Sequence, residues 1–62
     1  MKFRVEDMTC GHCTAAIEKA IAEAGGTATA DLASKIVTVE NIGSARAGEI
    51  IAAEGYTPVP VD

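Results

Sequence analysis

Both cysteines and the single histidine of this 62-residue chain fall within one stretch, Met8-Thr9-Cys10-Gly11-His12-Cys13. Two thiols separated by two residues suit either of two chemistries: binding a soft metal ion as thiolates, or dithiol–disulfide exchange. They suit a structural staple poorly, because a bridge between them closes a tiny loop and constrains little of the unfolded chain. Gly11 lets the backbone curl so that the two sulfurs can meet at one point. His12 adds a hydrogen-bonding group or a possible nitrogen ligand, and Asp7 is the nearest carboxylate.

The elements that must position this stretch follow from the hydrophobic period. Lys2 to Glu6 alternates, with Phe3 and Val5 on one side, and reads as a half-buried strand. Asp7 to Gly11 breaks the pattern as a loop whose apolar member, Met8, folds inward beneath it. From His12 to Ala24 the period is helical, with Ala16, Ile17, Ala20, Ile21 and Ala24 on one stripe and Glu18, Lys19 and Glu23 outside it. Gly25-Gly26 ends that helix, Gly25 being suited to a left-handed position after it. The cysteines therefore fall where a strand hands over to a helix. Unpaired N–H groups and the positive end of the helix dipole favour negative sulfur there.

Thr27 to Leu32 alternates again, Ala33-Ser34-Lys35 is a short turn, and Ile36 to Val39 is a run of β-formers, so the pair reads as a hairpin. Asn41 to Gly43 forms a second loop, with Ser44 as N-cap of a second helix running to Glu54. Its buried stripe is Ala47, Ile50 and Ile51, with Ala53 or Glu54 at the edge, and Gly55 stops it. Tyr56 to Val61 is a last extended segment whose two prolines confine it to a sheet edge or a frayed end. The order β-α-β-β-α-β predicts an α+β, ferredoxin-like sandwich: a four-stranded antiparallel sheet with two helices on one face. Gly48, inside the second helix, is the weak point of that reading at a cost of about 1 kcal/mol relative to Ala. Lys19, Lys35 and the scattered carboxylates read as an ordinary solvated surface.

Composition narrows the function. At 62 residues the chain makes one domain, spanning 1–62, and a domain this short buries only roughly 60% of its unfolded surface. Hydrophobic residues make up 48%, without Trp, so a small aliphatic core is expected. No apolar run approaches the roughly 20 residues needed to span a bilayer, and the N-terminus lacks the pattern of a signal peptide. A cytoplasmic protein with reduced thiols and no direct membrane insertion is expected. A net charge of −4 argues against a nucleic-acid partner and permits a partner with a basic face.

Ligand count then bears on the ion. A structural zinc site wants four ligands, and one chain offers the two cysteines, His12 and Asp7. Soft thiolates select Cu(I), a d¹⁰ ion content with two or three ligands, and two thiolates leave it open to attack by a third.

Taken whole, the sequence resembles the heavy-metal-associated domain family, as found in bacterial copper chaperones and in the N-terminal domains of copper-transporting P-type ATPases. The resemblance rests on Phe3-Arg4-Val5, Met8-Thr9-Cys10-Gly11-His12-Cys13, Ile17-Glu18-Lys19-Ala20-Ile21, Lys35-Ile36-Val37-Thr38-Val39-Glu40 and Ala53-Glu54-Gly55-Tyr56. It implies Cu(I) held by the thiolates of Cys10 and Cys13, with Met8 packed under the loop. It implies delivery by ligand exchange with a Cys-x-x-Cys on a partner pump. Thr9 stands where zinc-selective relatives often have Asp, which favours copper, while Asp7 stands where the family commonly has Gly. The resemblance places Tyr56 beside the loop, where its hydroxyl can hydrogen-bond a sulfur; the plainer alternative is a core aromatic with its hydroxyl in water. Met8, Thr9, His12 and Tyr56 are thus the surroundings or additional ligands of the two cysteines.

Alternatives remain. Zinc, mercury or nickel relatives share the fold, an ATPase domain would carry the same loop, and thiolates from a second chain would allow a metal-bridged homodimer. The start at Met1 favours a free-standing protein over an excised domain. Cys-Gly-His-Cys is also the active-site sequence of protein disulfide isomerases, which would make the chain a dithiol oxidoreductase. That family has Trp before the first Cys, a longer fold, and a cis-proline with no counterpart here, so no enzymatic activity is expected.

Overall fold

The computed structural model describes residues 1–9 and 11–61. The elements run β1 (Lys2–Arg4), α1 (Gly11–Glu23), β2 (Thr27–Asp31), β3 (Ile36–Glu40), α2 (Ser44–Ala53) and β4 (Val59–Pro60), the expected β-α-β-β-α-β order. The four strands form one sheet in the order β2-β3-β1-β4, with every neighbouring pair antiparallel. β1 is central, pairing Phe3 with Val37 of β3 and with Pro60 of β4. β4 lies at a sheet edge, where a proline without an N–H can be tolerated.

One apolar layer explains why helices and sheet pack together. Phe3 and Val5 from the first segment and Val37 and Val39 from β3 meet Ile17 and Ile21 of α1 and Ala47 and Ile51 of α2 in a single buried cluster. The alternation is visible in β1, where Phe3 is buried between exposed Lys2 and Arg4. Spacing of four residues, Ile17 to Ile21 and Ala47 to Ile51, keeps each helix's largest contacts on one face. Ala16, Ala20 and Ala24 border that stripe in α1, and Ile50 borders it in α2. Glu18 is a departure from the solvated surface expected of it. It is half-buried, and its carboxylate accepts the Ala30 N–H at 2.8 Å, tying α1 to the outer strand β2.

Both helices end in the same backbone device. After α1, Gly25 has φ +94°, its N–H bonds to the Ala22 carbonyl at 3.0 Å, and the Gly26 N–H bonds to the Ile21 carbonyl at 2.9 Å. After α2, Gly55 has φ +96°, its N–H bonds to the Ala52 carbonyl at 2.9 Å, and the Tyr56 N–H bonds to the Ile51 carbonyl at 3.4 Å. This is the Schellman arrangement, which needs a left-handed residue and therefore selects glycine.

Several boundaries differ from the sequence reading. β1 is shorter than Lys2 to Glu6, because Glu6 and Asp7 already form a turn in which the Met8 N–H bonds to the Val5 carbonyl at 3.1 Å. α1 begins at Gly11 rather than His12. Ser44 is not the N-cap of α2 but its first residue; Gly43 takes the extended cap conformation (φ −71°, ψ 153°), with no side-chain cap bond. Ala53 and Glu54 are both exposed, so the buried stripe of α2 stops at Ile51. A serine beside a glycine is an ambiguous cap signal, since glycine also tolerates the cap geometry.

Candidate metal centre

The loop between β1 and α1 is built from the inside outward. Met8 is 0% exposed and belongs to the main core cluster, as expected of the apolar member of the loop. On either side of it the chain surfaces: Asp7, Thr9, Gly11 and His12 are all exposed. A buried thioether between exposed neighbours fixes the loop at one point while leaving the flanking residues in water. Met8 is therefore occupied in packing against aliphatic side chains.

Cys13 lies in the first turn of α1, half-buried and packed against the core cluster. Backbone N–H groups in a first helical turn have no partner four residues back, so the turn is electropositive. A thiolate there gains from that field. The turn is further closed by Thr14, whose hydroxyl donates to the Gly11 carbonyl at 2.8 Å. Cys10, the other predicted ligand, lies outside the described residues. Among the described residues no group of three or more His, Cys, Asp and Glu side chains comes together. His12 is solvent-facing on the first turn of the helix.

Two contacts from distant parts of the chain hold the loop. On one side is the turn between β2 and β3. The Lys35 carbonyl accepts the Val5 N–H at 2.8 Å, and its Nζ donates to the Met8 carbonyl. On the other side is the segment between α2 and β4, where the Thr57 hydroxyl donates to Asp7 Oδ2 at 3.3 Å. The first contact corrects the solvated-surface reading of Lys35, which is half-buried. It also adds a residue that the sequence did not reveal as part of the site. The second gives the unusual Asp7 a partner in the neighbouring loop.

Tyr56 is half-buried and packs against the core cluster. Its place follows from the end of α2: it is the residue directly after the left-handed Gly55, and its N–H closes the bond to Ile51. In this arrangement the residue after the glycine commonly packs back on the helix, three or four positions from its end. Because Thr57 reaches Asp7, the Tyr56–Thr57 segment and the thiol loop occupy the same end of the molecule. A concavity of about 260 Å³ is lined instead by Ala16, Lys19, Ala20, Glu23 and Glu54 and includes none of the residues 7 to 13. The candidate site is a surface loop on a packed anchor, not a cavity.

No helix among the described residues is long and apolar enough to cross a membrane. Comparison with curated proteins gives no match. Among solved structures the chain is similar to the protein Atu1203 of Agrobacterium tumefaciens, with 48% identity, covering 94% of this chain and 95% of that one, at a TM-score of 0.84. It is similar to the copper chaperone Atx1 of Synechocystis, with 30% identity, 94% and 97% coverage and a TM-score of 0.83. It is similar also to the CopZ metallochaperone, with 29% identity, 95% and 97% coverage and a TM-score of 0.88. The sequence model of the heavy-metal-associated domain matches residues 2–53, which take in the thiol loop, the hairpin and both helices. The shared fold and that match agree, and the chain belongs to the heavy-metal-associated domain family.

Proposed function

We propose that this protein is a Cu(I) metallochaperone, a single domain spanning 1–62, in which the thiolates of Cys10 and Cys13 bind the ion. The observation that carries the reading is the pairing of a fully buried Met8 with exposed Thr9, Gly11 and His12 around a cysteine in the first turn of α1. Such a loop is anchored from below and approachable from above. An ion held there by two sulfurs keeps an open side, so an incoming thiolate can bond before either resident one leaves. Transfer then proceeds through three-coordinate copper without releasing free ion. Soft sulfur ligands favour Cu(I) over harder ions, and the copper-chaperone neighbours support the same choice.

The acceptor in this reading carries its own Cys-x-x-Cys, as a copper-transporting P-type ATPase does. The net charge of −4 suits an acceptor face that is basic. The chain binds and releases its cargo without catalysing a reaction, and it works in the cytoplasm, where its thiols stay reduced. Tyr56 and His12 tune the loop from its surroundings.

The test is a competition titration against a Cu(I) chelator, with Zn(II) titrated in parallel. Cys10→Ser and Cys13→Ser are each expected to lower Cu(I) affinity by at least about 100-fold, beyond the loss usual for outer partners of a metal site. Circular dichroism of both variants should match the parent. Cu(I) binding no tighter than Zn(II) binding removes copper from the reading, and loss of the fold in either variant makes the cysteines structural.

A further inference from the structure

Lys35 has a backbone conformation that its residue type does not favour. It closes the β2–β3 turn with φ +64°, a left-handed region that Gly and Asn enter readily and other residues enter at a cost. The turn nevertheless carries a lysine, and its side chain is not spread in solvent. It is half-buried, with Nζ donating to the Met8 carbonyl, a contact that spans 27 residues of sequence. Backbone strain together with a directed, charged contact points to a use for the side chain.

We propose that Lys35 is a positioning residue for the Cu(I) loop, an inference that rests on the copper reading above. Its ammonium fixes the Met8 carbonyl and with it the path of the chain through Thr9 toward Cys10. A charged donor makes a stronger bond to a carbonyl than a neutral one does. The same ammonium sets a fixed positive charge at the base of a loop that turns anionic on loading, since two thiolates and one Cu(I) sum to a single negative charge. Lys35 therefore favours the loaded loop by geometry and by charge. Thr57 holds the other flank through Asp7 and carries no charge, so the two tethers are not equivalent.

Lys35→Asn separates this role from a merely structural one. Asn accepts the left-handed conformation, so the turn keeps its backbone while the ammonium is lost. Lys35→Arg retains a charged donor. In the metal-free protein, solvent exchange of the Met8 amide, which bonds to the Val5 carbonyl in the same loop, should quicken about tenfold in Lys35→Asn, as expected for loss of one charge-assisted bond. The amides of Val37 and Val39 should hold, and so should the urea midpoint, because Asn's easier left-handed backbone offsets the lost bond. Cu(I) affinity should fall about tenfold, and Lys35→Arg should recover both readouts to within about threefold.

Unchanged Met8 amide exchange in Lys35→Asn, or Cu(I) affinity retained there, overturns the proposal and leaves the copper reading standing. A parent protein that fails to bind Cu(I) overturns the copper reading, and the Lys35 role toward copper goes with it. The exchange measurement needs no metal, so the two failures are told apart.

Discussion

Two loops in this molecule lead from a strand into a helix, and they have been treated very differently. Residues 5 to 10 join β1 to α1, and residues 41 to 43 join β3 to α2. Because β1 and β3 run antiparallel, the two loops lie at opposite ends of the sheet. The first turns Val5 and Met8 inward and the second Ile42. Met8 is wholly buried in the main cluster, whereas Ile42 is half-buried at its margin. The second loop is held more lightly: Asn41 at φ +72°, its amide donating to the Thr27 hydroxyl at the start of β2 at 3.2 Å, and Gly43 as an unassisted cap. The first loop is tethered from both sides, by Lys35 and by Thr57. The second loop has one neutral contact from another element, whereas the first has a charged tether on one flank and a hydroxyl–carboxylate tether on the other, which suits a loop with a site to hold in place.

That contrast can be broken most directly at Met8 and Ile42. Met8→Ala should cost about 2–5 kcal/mol, the range for emptying a filled core site. Ile42→Ala should cost only about 1–2 kcal/mol, because less apolar surface leaves the water-free interior. Urea unfolding of the two variants measures the difference. Equal losses would mean that the thiol loop is no better anchored than its counterpart. In a 62-residue chain the larger loss threatens the fold itself. Met8→Leu, with similar volume, should stay within about 1.5 kcal/mol of the parent and serves as the control.

The glycines that end the helices sharpen the comparison at a smaller scale. Gly25→Ala and Gly55→Ala each place a Cβ on a left-handed residue and should each cost about 1–2 kcal/mol. Their local consequences should differ. Gly55 sets the path of Tyr56, the only tyrosine, in a chain that has no tryptophan. Tyrosine fluorescence should therefore change with Gly55→Ala and remain as in the parent with Gly25→Ala. A change in both, or in neither, would separate Tyr56 from the helix end that we hold responsible for its position.

The smallest effect is expected at Gly48, in the middle of α2 and away from both loops. A Cβ there would stand 3.8 Å from Phe3 Cε1, an ordinary contact. Gly48→Ala should then stabilise the protein by up to about 1 kcal/mol, the helix-propensity difference, and leave the proposed Cu(I) binding unchanged. A loss of stability would show that the packing between α2 and β1 is tighter than this contact implies.

Much of the architecture was legible in the residues. Ile17 and Ile21 recur at helical spacing, Phe3 and Val5 at strand spacing, and Gly25 and Gly55 mark helix ends, so element order and core follow from local periodicity. The fine boundaries did not follow. Gly11 reads as a loop residue but begins α1, and Ser44 reads as a cap although Gly43 takes that role. In both cases a glycine is compatible with either state, and the neighbouring backbone bonds decide. Glu18 and Lys35 were illegible in a different way. A charged residue outside the apolar stripe is assigned to solvent by any pattern method. Yet Glu18 is half-buried on the Ala30 N–H and Lys35 on the Met8 carbonyl.

What the sequence determined by itself is the chemistry on offer and the order of its supports. Two thiols and an imidazole stand within one short stretch, Met8 is the apolar residue within reach to anchor it, and the alternation of strand and helix follows in register. What only the tertiary structure decided is how that stretch is held. Lys35 comes to Met8 across 27 residues and Thr57 to Asp7 across 50, both at the end of the sheet where the β2–β3 turn meets the loop. Periodicity encodes which face of an element is buried, because that depends on near neighbours in the chain. It carries no record of which loops the folded sheet will bring side by side.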